Sequence, residues 1–100
     1  MMDWVLLKRK ISNFEIWDDE ELVGPSLKTI ICAKNICSSL QQKNYPVPTG
    51  ILTDGETAIV FEWHYDIFYS RLVIFNECAE INMFFDCRLI FKQKLQNCVI

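Results

Sequence analysis

The stretch from Val47 to Phe75 limits what this chain can become. It reads Val47-Pro-Thr-Gly-Ile-Leu-Thr, then Asp54-Gly55, then Thr57-Ala-Ile-Val-Phe-Glu-Trp63, and closes with Ser70-Arg-Leu-Val-Ile-Phe75. Two runs rich in β-branched and aromatic residues flank an Asp-Gly pair. Glycine accepts positive φ without a Cβ clash, which a tight hairpin turn requires, so the pattern predicts an antiparallel hairpin. Ile59, Phe61 and Trp63 then share one face, and Ala58, Val60, Glu62 and His64 share the other. Polar and apolar residues do not alternate from Ala58 to Phe61, so both faces are expected to be at least partly covered there.

Working outward, Asp66 marks the next turn, Tyr69 to Phe75 a third strand, and Ala79 to Phe85 a fourth, with a bend at Asn76-Glu77. Arg88 to Lys94 fits either a further strand or a terminal helix. Upstream, Trp4, Leu7, Ile11 and Phe14 recur at spacings of three and four, the stripe of an amphipathic helix from Asp3 to Phe14; a strand from Trp4 to Leu7 is the alternative. Ser26 follows Pro25 as an N-cap, opening a helix to about Gln42 whose apolar face is Leu27, Ile30, Ala33, Cys37 and Leu40, with Ile31 at the margin. Pro46 and Pro48 return the chain to extended geometry. The expected fold is α+β, one domain over residues 1–100, with two helices packed on one face of an antiparallel meander of three to five strands. Its core is expected to hold Trp17, Ile30, Cys37, Leu40, Phe61, Trp63, Leu72 and Ile74.

Composition narrows the function classes. Of 100 residues 51% are hydrophobic and 13 are aromatic, which excludes disorder and leaves more apolar surface than so small a body hides. A contact surface for a second copy or another protein is the expectation. The net charge of −3 repels phosphate backbones, so nucleic acid is not an expected partner. Lys8-Arg9-Lys10 interrupts the N-terminal apolar run, leaving neither a signal peptide nor a membrane span, and a cytoplasmic protein is expected. The five cysteines, at 32, 37, 78, 87 and 98, form no C-x-x-C pair and read as reduced, mostly buried hydrophobes.

Chemical motifs are sparse. Glu62, His64 and Asp66, spaced by two, fall on one strand face and offer an imidazole and two carboxylates to a metal or a proton. His64 is the sole histidine, no nucleophile elbow accompanies it, and Asp66 falls in the expected turn, so a strand end meeting solvent is the preferred reading. Gly24, Gly50 and Gly55 stand singly and make no phosphate-cradling loop. The acidic run Asp18-Asp19-Glu20-Glu21 lacks the alternation of a calcium loop and reads as a solvated link. Trp63, Tyr65, Phe68 and Tyr69 form an aromatic group suited to core packing or to contact with a partner.

In order, Trp17-Asp18, Pro25-Ser26, Pro46-Val47-Pro48, Asp54-Gly55 and Phe61-Glu62-Trp63 resemble the features of a widespread group of small bacterial proteins of unknown function. That group has a Trp-Asp-Gly-x-Gly-Ala loop, a Pro-Ser-capped helix, a Pro-x-Pro entry and a Pro-Asp-Gly-Gly-Ile-x-Leu-Glu-Trp hairpin. In this chain Asp19 and Glu21 replace the loop glycines. The resemblance implies an α+β architecture in a bacterial or phage-like setting and carries no activity with it.

The expected function is therefore a non-enzymatic protein-interaction module without a cofactor or metal. It pairs with itself as a homodimer or with another protein, through Trp63, Tyr65, Phe68 and Tyr69. The rival is a small metal-dependent or acid/base hydrolase using His64 with Glu62 and Asp66.

Overall fold

The computed structural model describes residues 3–13, 26–54, 58–76 and 78–96. Phe14, Trp17, the acidic run 18–21 and the turn glycine Gly55 lie outside them, and so do the expectations placed on those residues. The described residues form helices α1 (Trp4–Asn13) and α2 (Leu27–Gln42). Strands β1 (Gly50–Asp54), β2 (Ala58–Tyr65), β3 (Phe68–Phe75), β4 (Cys78–Phe85) and β5 (Arg88–Gln96) follow. The sheet order is β1-β2-β3-β4-β5 with every neighbour antiparallel, so the fold is α+β and the sheet a five-stranded meander.

The helices begin where side chains satisfy orphan amides. In α1, Leu6 N donates to Asp3 Oδ1 at 2.7 Å, and the stripe Trp4, Leu7, Ile11 turns inward, with Leu7 and Ile11 fully buried. The residues 4–7 that also fitted a strand are helical. In α2, Ser26 Oγ accepts from Thr29 N at 3.2 Å. The far end of α2 closes with Asn44 at φ 60, while Asn44 N donates to Gln41 O and Tyr45 N to Leu40 O. This is a Schellman arrangement, with asparagine where a left-handed residue is needed.

Helix α2 lies across β2 and β3, and α1 packs beside α2, where Lys8 Nζ donates to Gln41 Oε1 at 3.0 Å. Being covered on two sides, α2 buries a wider face than its sequence predicts: Thr29, Cys32 and Ile36 are buried together with Ile30, Ala33, Cys37 and Leu40. Leu27, expected on that face, is 65% exposed, because the first turn overhangs the sheet contact.

Register places Ile59, Phe61 and Trp63 opposite Ile74, Leu72 and Ser70, and Leu72 opposite Ile81, all toward the helices. Phe61, Ile59, Leu72 and Ile74 are at most 1% exposed and join the helix residues in one core cluster. Each such side chain contributes about 1.5–3 kcal/mol by leaving water. Ala58, Ile59, Val60 and Phe61 are all buried, as the missing alternation required.

The terminal segment left open between strand and helix is β5, the edge of the sheet. A bulge between Met83 and Phe84 lets Phe91 face Met83 and Leu89 face Phe84, so neighbouring apolar residues point to opposite faces. The cysteines correct their expectation in two ways. Cys32 is disulfide-bonded rather than reduced, and Cys78 and Cys87 are exposed rather than buried, since both sit at the ends of β4 hairpins.

Candidate functional site

The pleat of β2 and β3 divides the aromatic group. Trp63, Tyr65 and Phe68 lie on the helix side, where they line an apolar groove of about 290 Å³ with Leu40, Tyr45 and Met83. Tyr69 projects from the opposite face, tilted against His64 with ring centroids 4.6 Å apart and against Phe84 at 5.8 Å. Trp63 is only 9% exposed, which makes it a wall of the core and of the groove rather than a free contact residue. Tyr65 is 46% exposed and Phe68 half-buried.

The groove follows from local chemistry. The Schellman end of α2 swings Tyr45 and Pro46 over the sheet, and Trp63 Nε1 donates to Pro46 O at 2.9 Å, fixing both indole and turn. Its sheet wall contains Ser70, which stands between Trp63 on β2 and Met83 on β4 and is 6% exposed. Two large neighbours beside one small residue leave a depression.

On the opposite face, Glu62 and His64 meet: His64 Nε2 and Glu62 Oε2 are 2.7 Å apart. Their adjacency on one strand face is what the spacing of two predicted. Asp66 occupies the β2–β3 turn at φ 56 and lines, with His64, Tyr69, Arg71 and Cys87, a shallow depression. Among the described residues no group of three or more His, Cys, Asp or Glu side chains is placed to hold a metal ion. The His64 side chain is 61% exposed, so the dyad works in high dielectric, where such a pair is worth about 0–1 kcal/mol. Desolvation raises the Tyr69 phenol above its ordinary range. The Glu62 charge and hydrogen bond raise it further, against a lowering by Arg71. A neutral phenol next to a carboxylate is a hydrogen-bond donor, not a base.

Sequence reasoning missed Ser70, Tyr45 and Pro46 as site residues. The signal available was a lone serine inside the apolar run Phe68 to Phe75, a small polar side chain where a core residue belongs. Among the described residues no helix is long and apolar enough to cross a membrane. Comparison with family models, curated proteins and solved structures finds no match.

Proposed function

We propose that the protein is a non-enzymatic interaction module that pairs with a second copy of itself through the apolar flank of β4 and β5. The supporting observation is where α2 stops. It covers β2 and β3, while at the far edge Phe85 and Phe91 on the helix side remain 49 and 43% exposed, with Ile90 at the bulge 57% and Leu89, turned to the other face, 52% exposed. A standard interface takes about 800 Å² from each partner, a modest share of an accessible surface of 6660 Å². Contact through side chains is favoured over main-chain pairing of β5 with its copy, because Arg88, Lys92 and Lys94 give that strand three cations and no acid. Lysine-rich edges resist pairing with themselves. Tyr65 and Phe68 extend the same apolar surface on the helix side; Tyr69 belongs to the other face.

The setting we propose is cytoplasmic and bacterial or phage-like, on the strength of the sequence resemblance. The disulfide at Cys32 is chemically at odds with a reducing compartment. Alkylation of thiols at the moment of cell lysis decides between them. Among the described residues the rival hydrolase is supported only by the Glu62–His64 pair, in which His64 is 61% and Glu62 15% exposed. Sedimentation at several protein concentrations tests the module: a concentration-dependent dimer supports self-pairing, and a strict monomer that binds no apolar dye removes it.

A further inference from the structure

The sheet face turned away from the helices carries three rings in one line. His64 on β2 pairs with Tyr69 on β3, and Tyr69 with Phe84 on β4, so the pleat sends all three side chains to the same side. Their centroids follow at 4.6 and 5.8 Å, with interplanar angles of 43 and 34°. The row is the floor of the shallow depression between the β2–β3 and β4–β5 turns. At about 610 Å³ the depression falls within the size range of ligand sites, roughly 300–1,000 Å³.

The floor and rim are set before any guest arrives. Glu62 Oε2 lies 2.7 Å from His64 Nε2, and the same carboxylate accepts the Tyr69 hydroxyl, so one acid orients two rings. The two turns are joined by a bond from Asp86 N to Ile67 O at 3.0 Å. Fixed walls reduce the ordering cost of binding.

The lining selects the guest. Arg71 and His64 oppose Asp66 and Asp86, so donors and acceptors surround the rings without a strong field of either sign. A phosphate would face two carboxylates and an ammonium would face a guanidinium, and neither recovers there the hydration it gives up. A wholly apolar guest would leave its outer side against water, because the depression is open. The fitting guest is neutral, with C–H groups on one face, hydroxyls around its rim and a hydrated back. The negative face of an aromatic ring attracts polarised C–H groups, and carboxylates and a guanidinium with its five N–H donors pair with hydroxyls.

We propose that the His64–Tyr69–Phe84 row is a binding site for a neutral pyranose sugar, stacked on Tyr69 and engaged at its hydroxyls by Asp66, Asp86 and Arg71. Glu62 is a positioning residue. The site stands independently of self-pairing, because its rings lie on the face opposite Phe85 and Phe91.

The test is a titration of the protein, followed by its chemical shifts, with the methyl glycosides of glucose, galactose, mannose and N-acetylglucosamine, beside choline and inorganic phosphate. The expected result is saturable shifts at His64, Tyr69, Phe84 and the two turns with at least one glycoside, and no saturation with choline or phosphate. Tyr69→Ala weakens that binding about ten-fold. His64→Ala, at a largely exposed side chain, keeps the fold and weakens it about three-fold, so the test stays decisive should the Tyr69 variant unfold. Absence of saturable shifts with all four glycosides, saturation of the same residues by choline or phosphate, or an affinity unchanged in His64→Ala overturns the proposal.

Discussion

The indole Nε1 of Trp63 donates to the carbonyl oxygen of Pro46 at 2.9 Å, tying the centre of the sheet to the turn that follows α2. The same ring meets Phe61 edge-on with centroids 6.5 Å apart. Trp63→Ala is expected to cost about 3 kcal/mol by loss of buried volume. Trp63→Phe, which keeps most of the apolar bulk and loses the bond, should cost about 1 kcal/mol. Denaturant unfolding of both variants checks the pair, and no loss in Trp63→Phe would show that the Pro46 bond contributes nothing.

A closed ring of hydrogen bonds fixes the start of α2 to the β3–β4 turn. Asn76 N donates to Thr29 Oγ1 at 2.8 Å, Thr29 and Ser26 hydroxyls share a bond of 3.0 Å, and Ser26 Oγ donates to Asn76 Oδ1 at 3.0 Å. Thr29 is fully buried, so Thr29→Val keeps the shape and strands the Asn76 amide. A loss of about 1–3 kcal/mol is expected in chemical unfolding. Ser26→Ala should cost about 1 kcal/mol as a lost N-cap.

The β4–β5 turn uses Asp86 at φ 48 and Cys87 at φ 63, both left-handed, the signature of a type I′ hairpin. Cysteine has a Cβ that this region disfavours by about 1–2 kcal/mol, a penalty glycine escapes. Cys87→Gly is therefore expected to stabilise the protein by about 1 kcal/mol, the remainder being offset by the greater freedom of glycine in the unfolded chain. A rise in melting temperature checks it, and a fall would mean that the thiol makes a contact that outweighs the strain.

Burial raises the Cys37 thiol above its ordinary 9.0, with the Lys8 charge opposing part of the shift. Because the folded state holds this proton more firmly than the unfolded chain, the contribution is fully present below about pH 9. It is lost as pH rises through the folded value. Melting temperature should decline on the alkaline side, and less steeply in Cys37→Ala. At neutral pH the exposed Cys78 and Cys87 should react quickly with a thiol reagent and Cys37 only on unfolding.

Most of the fold was legible because its signals are local. The 3.6-residue stripe in α1, Ser26 before α2, the prolines after it and the period-two strands all carry their own geometry, and register follows once one face is buried. Other features depended on tertiary placement. Leu27 sits on the apolar stripe of α2 yet overhangs the sheet, and Ile36 is buried because α1 covers a second side of that helix. For β5, three consecutive apolar residues held no period, and the bulge that distributes them over two faces depends on pairing with β4. The shared strand face of Glu62 and His64 was readable from their spacing, but their contact was not, because it depends on the rotamers that the folded sheet selects. The groove was not, because Leu40, Tyr45, Trp63, Ser70 and Met83 come from four separate parts of the chain.

The most direct test of self-pairing through the β4–β5 flank is sedimentation equilibrium of the protein beside Phe91→Lys, a change at a 43% exposed position that leaves the core untouched. The expected result is a dimer for the natural chain and a monomer for the variant, with matching circular dichroism. A monomer for the natural chain at every concentration, or a dimer that survives the substitution, contradicts the assignment of that flank.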